Sequence, residues 1–259
     1  MGGVGKTTLA QLVYNDSRVC NYFDTRGWVC VSEDFDVVGL TQKILVSCFK
    51  TTVDYTELNE LQQELKKILQ GKKFLLVLDD VWNEKPSLWE KLKVPLLEAG
   101  VGKVIVTTRN ECVARIMQTM EPLNLNILPF DKCWMLFEKL ALEGLDSSSG
   151  HNNLVDIGRR IVEKCKGLPL AVKVIARALS YEDDEDKWTD ILESELWESV
   201  DANSEIFPAL KVSYDCLPID LKRCFLVSQR HGSIRDKKLS ICGCRKVFFG
   251  LQEASKQRI

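Results

Sequence analysis

The first eight residues, Met1-Gly2-Gly3-Val4-Gly5-Lys6-Thr7-Thr8, constrain this chain more than any other stretch. Glycines at 2, 3 and 5 let backbone amides converge on an anion with no Cβ in the way, and they free the chain to turn with positive φ. Leu9-Ala10-Gln11-Leu12-Val13-Tyr14 then reads as the continuation of a helix over residues 7–14. A helix that starts behind a glycine turn presents unpaired N–H groups, and the positive end of its dipole, to a phosphate. Gly5-Lys6-Thr7 fits the end of the pattern G-x-x-x-x-G-K-[ST], in which the lysine reaches the β- and γ-phosphates and the hydroxyl ligates Mg²⁺. The bland alternative, a flexible glycine-rich start, does not account for the helix behind it. The first glycine of the pattern would fall one position before Met1, and the buried strand that feeds such a loop would precede that.

A phosphate loop of this kind belongs to a parallel sheet, and the first half of the chain supplies strands and helices in alternation. Residues 27–32 form a short β-rich run, followed by helical patterns at about 37–49 and 56–70. In the second of these, Leu58, Leu61, Leu65, Ile68 and Leu69 keep a three-and-four spacing. Lys72 to Asp80 is an apolar strand that ends in two carboxylates. A buried parallel strand would deliver Asp79 to the carboxyl edge of the sheet to hold Mg²⁺, with Asp80 placed to orient or deprotonate a water. An apolar run ending in Asp is weak on its own, and it gains force from Gly5-Lys6-Thr7 some 70 residues upstream. Residues 103–109 form a further strand ending in Arg109, which suits either a γ-phosphate sensor or an ordinary surface arginine. Leu123, Leu125 and Ile127 alternate with Asn124 and Asn126, which predicts one more, half-exposed strand.

From about residue 129 the period changes to 3.6. Asp131 is placed to cap a helix carrying Trp134, Leu136, Phe137, Leu140 and Ala141. Ile157, Ile161, Val162 and Cys165 mark a second helix, stopped by Gly167. Pro169 opens a third, with Leu170, Ala171, Val174, Ile175, Ala178 and Leu179 predicted on its buried side. Residues 182–186 read as a solvated acidic loop, and further helices are expected at about 187–197 and 203–216. The predicted fold class is therefore α/β: a P-loop NTPase parallel sheet, its first strand missing, followed by a small helical bundle.

Composition supports a soluble globular chain, at 45% hydrophobic and 28% charged residues over 259 positions. It has no apolar run long enough to span a membrane and no signal-peptide pattern, which predicts a cytoplasmic or nuclear protein. The ten cysteines are spread out with no C-x-x-C, and the two histidines have no partner at ligand spacing, so reduced thiols are expected rather than disulfides or zinc. The net charge of −2 averages two unlike parts. Residues 222–259 carry ten Lys/Arg against two Asp/Glu, which leaves −10 on the rest. A basic tail can serve nucleic acid or anionic lipid, but its Leu-, Phe- and Cys-rich stretches have no clear period, so it looks less like a tuned binding arm.

Four motifs together point further. Gly-Gly-Val-Gly-Lys-Thr-Thr, Phe74-Leu75-Leu76-Val77-Leu78-Asp79-Asp80-Val81-Trp82, Val106-Thr107-Thr108-Arg109 and Gly167-Leu168-Pro169-Leu170-Ala171 occur in the order and spacing of the NB-ARC domain. The chain resembles that domain over about residues 1–225. It is the nucleotide switch of plant nucleotide-binding, leucine-rich-repeat disease-resistance proteins and is related to the apoptosome adaptors. Trp82 and residues 27–32 look like the coiled-coil branch of the family. The resemblance implies a switch in which ADP holds a resting state, ATP an active one, and slow hydrolysis resets it. It places Gly2, Gly3, Val4, Gly5, Lys6, Thr7 and Thr8 around phosphates, Thr7 and Asp79 at Mg²⁺, Asp80 at the water, Arg109 at the γ-phosphate and Pro169 against the adenine. Read alone, Gly167-Leu168-Pro169 would be a helix stop followed by a helix start. The partners implied are nucleotide, the receptor's own coiled-coil and leucine-rich-repeat regions and other receptor copies, with no specific nucleic acid.

The domains expected are a nucleotide-binding domain at 1–128, a helical subdomain at 129–225 and a divergent, poorly ordered basic tail at 226–259. After Cys224-Phe225 the family pattern leads into a winged-helix subdomain with a Met-His-Asp signature, and this sequence has neither. The tail is therefore expected to be foreign to the domain, and the chain to be a fragment. Two competing readings remain, a P-loop ATPase or small-molecule kinase and an inert truncated product that no longer binds nucleotide. A kinase would need an arginine-rich lid, and residues 83–100 and 110–122 offer only scattered basic groups. A parallel sheet lacking a central strand would expose apolar edges, which predicts low solubility.

Overall fold

The computed structural model describes residues 1–31, 35–49, 56–98, 100–142, 152–180 and 182–197, with Leu210, Lys211, Tyr214 and Lys222. The basic tail and most of the helix expected at 203–216 lie outside the described residues. The chain divides between Leu128 and Pro129 into two compact units.

In the first unit, α1 (Lys6–Asn15) and α2 (Ser17–Tyr22) precede β1 (Thr25–Cys30), α3 (Val37–Phe49) and α4 (Leu58–Leu69). Then come β2 (Phe74–Val81), α5 (Pro86–Glu98), β3 (Gly102–Thr108) and α6 (Glu111–Met117). The three strands form one parallel sheet in the order β1-β2-β3. Central strand β2 is buried along nearly its whole length, which is why Phe74–Leu78 is continuously apolar instead of alternating. Phe74, Leu76 and Leu78 join Ile44, Leu45, Leu61, Leu65, Trp89 and Leu92 in one core cluster. Each large aliphatic side chain fully withdrawn from water there contributes about 1.5–3 kcal/mol. The leucine spacing of α4 serves this cluster directly, since Leu61, Leu65 and Leu69 are its buried residues. Trp89 is wholly buried and its indole N–H donates to the Asn83 carbonyl at 3.1 Å, so its polar end is satisfied.

The predicted strands at 72–80 and 103–109 and the helix at 37–49 form close to the expected limits. β1 starts two residues earlier than expected, and Ser32 lies outside the described residues. The strand expected at Leu123–Ile127 does not form. That segment pairs with no described strand, Leu123 and Ile127 are exposed, and Pro122 and Pro129 remove donors at both flanks. Alternation of apolar and polar residues gains nothing without a neighbour to pair with.

The second unit is helical among its described residues, with α7 (Phe130–Ala141), α8 (Asn152–Lys164), α9 (Pro169–Leu179), α10 (Glu185–Glu193) and a 3₁₀ turn at Glu195–Trp197. Phe137 stacks near Trp134 and meets Trp188 edge-on, with centroids 5.8 Å apart in both cases. Two expectations need correction here. Helix α7 begins before Asp131, so that carboxylate sits in the first turn and acts on the helix dipole without capping. On α9, Leu170 is exposed while Val172 and Ala176 are wholly buried, so the apolar stripe is rotated from the predicted one. Gly167 turns the chain between α8 and α9 at φ +73°, where a side chain would be strained. The described cysteines are free thiols, and burial pushes Cys165 up to about 12 and Cys48 to about 11. No helix of the described residues is long and apolar enough to cross a membrane.

Candidate functional site

Gly5 holds the residue before α1 in the left-handed conformation, at φ +104°, and Gly3 also has positive φ. No side chain caps the N-terminus of α1, so its first-turn amides are left for something else. Val4 is buried and pins the loop, while Thr8 is exposed on the first turn. Lys6 Nζ donates to the Met1 carbonyl at 2.5 Å, across its own loop. Burial is the main cause that lowers the Lys6 pKa, with Arg109 adding to it and Asp80 and Asp79 opposing. A cation that the fold partly desolvates beside another cation is one that an anion would stabilise.

The sheet brings the distant motifs to this loop. The Thr7 hydroxyl donates to Asp79 Oδ1 at 2.9 Å, joining positions 72 residues apart. Asp79 is 6% exposed at the end of β2. Asp80, the next residue, has φ +56°, a left-handed conformation rare for a residue with a side chain and typical of functional sites. Arg109 Nε lies 3.4 Å from Asp80 Oδ1, its guanidinium sits 5.1 Å from the centroid of the Trp82 ring, and it borders Gly2 so closely that a Cβ there would fall 3.3 Å from it. Gly2, Gly3, Val4, Gly5, Lys6, Thr7, Thr8, Asp79, Asp80 and Arg109 thus share one end of the sheet. Pro169 occupies the first turn of α9 in the second unit.

The residues suit a phosphate with a small hard cation. A phosphate placed here would meet the uncapped amides, Lys6 and Arg109. For the cation, Thr7 and Asp79 are oxygen donors held together. Mg²⁺ takes one or two carboxylates plus phosphate oxygens and water, so it does not need a cage of protein ligands. Among the described residues, no group of three or more His, Cys, Asp and Glu side chains forms such a cage. A groove of about 540 Å³ lined by Phe35, Asp36, Asn83, Glu84, Lys85 and Leu88 adjoins the site at Trp82.

Two contributors escaped the sequence reading of the site. Trp82, taken there only as a branch marker, lies under the Arg109 guanidinium. Thr107 has no role assigned within its motif, yet its hydroxyl donates to Asp79 Oδ1 at 2.5 Å and accepts from the Asp80 N–H at 2.9 Å. Its one signal in the sequence is a hydroxyl near the end of an apolar strand, which does not name the strand beside it.

The comparisons agree with this geometry. A model of the NB-ARC domain matches residues 1–147. The chain is 43% identical over 228 residues to the putative disease resistance RPP13-like protein 1 of Arabidopsis thaliana, which covers 87% of this chain and 22% of that protein. It is likewise 43% identical over 227 residues to disease resistance protein RGA2 of Solanum bulbocastanum, covering 87% of this chain and 23% of that protein. The chain therefore spans less than a quarter of the length of these curated relatives. With the glycine loop, the paired aspartates and the Thr-Thr-Arg strand end meeting at one sheet edge, this chain belongs to the NB-ARC domain family.

Proposed function

We propose that this chain is an ADP/ATP-binding switch module of a plant disease-resistance protein that acts in the cytoplasm or nucleus. The observation that carries the reading is the Thr7–Asp79 hydrogen bond beneath the uncapped N-terminus of α1. It joins a glycine loop that suits phosphate to a carboxylate that suits Mg²⁺. In this reading Gly2, Gly3, Val4, Gly5, Lys6 and Thr8 surround the phosphates, and Thr7 and Asp79 hold the cation, which neutralises phosphate charge. Asp80 orients water, Arg109 senses the γ-phosphate, and Pro169 packs on the adenine from a helical subdomain.

A nucleotide that touches two subdomains shifts their equilibrium by its differential affinity for each arrangement, which is how an ADP-to-ATP change would become a signal. Coiled-coil and leucine-rich-repeat regions, and further receptor copies, are the partners proposed for the longer protein. The domain limits proposed are 1–128 and 129–225, with 226–259 outside the switch. Nucleotide content and turnover of the purified chain test the reading. Retained ADP with turnover far below ~1 s⁻¹ is expected, whereas rates of ~1–100 s⁻¹ would make it an ordinary phosphoryl-transfer enzyme. A chain that neither retains nor takes up nucleotide would be an inert product.

A further inference from the structure

We propose that Thr107 is the positioning residue that turns two consecutive aspartates toward one site. In a regular strand successive side chains point to opposite faces, so Asp79 and Asp80 could not both serve a ligand on one side. The β2–β3 ladder departs from regularity here. Leu78 pairs with Val106, but the next pair is Val81 with Thr108, so two residues of β2 face the single residue Thr107 of β3. This is a bulge, and it places Asp80 in its left-handed conformation.

A bulge takes its extra residue out of the ladder and leaves a backbone N–H seeking a partner. Thr107 supplies that partner. Its hydroxyl hydrogen goes to Asp79 Oδ1, and a lone pair receives the Asp80 N–H. One buried side chain, 7% exposed, thus orients the first carboxylate and fixes the backbone of the second. The adjacent Thr108 hydroxyl donates to the Val81 carbonyl at 2.7 Å and closes the ladder beyond the bulge. Both hydroxyls on Asp79, from Thr7 and Thr107, fall on Oδ1. No hydrogen bond from a described residue reaches Oδ2, which in this reading is the oxygen left for the cation. A hydroxyl is required for this: valine has the same shape and can neither donate nor accept.

The inference rests on the nucleotide reading for its ligand, and its test separates the two. ADP affinity of the full chain is measured with and without Mg²⁺ for wild type, Thr107→Val, Thr107→Ser and Lys6→Ala. Thr107→Val is expected to lose about tenfold or more of the tightening that Mg²⁺ confers, as outer partners of metal ligands do when removed. Its Mg²⁺-free affinity is expected to stay within about threefold, and Thr107→Ser to keep both values. Full Mg²⁺ tightening in Thr107→Val, or an equal loss with and without Mg²⁺, would overturn the proposal. Lys6→Ala weakens both conditions if the nucleotide reading holds. Should the wild type bind no ADP, that reading fails, and amide exchange still judges Thr107 in the unliganded chain. The Asp80 amide is expected to exchange at least tenfold faster in Thr107→Val while the Leu78 amide is unchanged. An unaltered Asp80 rate would overturn the role. If Thr107→Val does not fold, Thr107→Ala is measured in its place, with the same outcomes.

Discussion

The two outer strands of the sheet treat their free edges in opposite ways. On β1, the Ser47 hydroxyl of α3 accepts from the Trp28 N–H at 2.7 Å and donates to the Trp28 carbonyl at 2.9 Å. One side chain there satisfies both outward backbone groups of Trp28, in the middle of the strand. Gly27 lets the helix come this close, since a Cβ at that position would fall 2.5 Å from Cys48 Sγ. β3 shows no comparable cover among the described residues. It pairs with β2 alone, and Val104 is 41% exposed. Nearby, α1 packs on β2 and β3 through Ala10, while Leu9, Leu12 and Val13 stay exposed. An edge engaged by a helix side chain offers a new strand less to pair with, whereas an open apolar one is a template for association.

Substitutions can break this contrast. Ser47→Ala should be the costlier, because it strands the N–H and carbonyl of Trp28 at a partly buried edge. We expect a loss of about 1–2 kcal/mol, read from the midpoint of denaturant unfolding. A loss below about 0.3 kcal/mol would mean that water covers that edge equally well. Val104→Lys should change stability by no more than about 0.5 kcal/mol, as an exposed substitution does. Its effect should appear in sedimentation, as reduced self-association from a charge placed on the open edge. If wild type and Val104→Lys sediment alike, the β3 edge does not drive association.

The same contrast explains what could be read in advance. β2 was legible because a strand covered on both faces needs a continuous apolar run, and Phe74–Leu78 has one. α4 was legible because its leucines keep helical spacing toward one core. Leu123–Ile127 misled because alternation reports a capacity to pair, and the partner is a tertiary matter. On α9, apolar residues occur nearly all round the helix, so period alone could not choose between Leu170 and Val172. In the site, Gly5, Lys6, Thr7, Asp79, Asp80 and Arg109 stood out because phosphate and Mg²⁺ chemistry demands those groups. Thr107 and Trp82 act on other protein groups, through a bulge and a ring face that appear only when the strands are side by side.

Lys6 is the residue through which the loop is proposed to bind nucleotide. Burial and the neighbouring Arg109 lower the Lys6 pKa in the free chain, and a bound phosphate would raise it again. Binding then takes up a proton between the two values, so affinity is full at neutral pH and falls as pH rises through the lowered value. The direct measurement is ADP affinity by calorimetry from pH 7 upward, on wild type and Lys6→Ala. We predict tight binding at neutral pH in the wild type with an alkaline decline that begins below the ordinary lysine range, and in Lys6→Ala a weak affinity without that decline. Equal affinities with the same pH profile would contradict the assignment of this site.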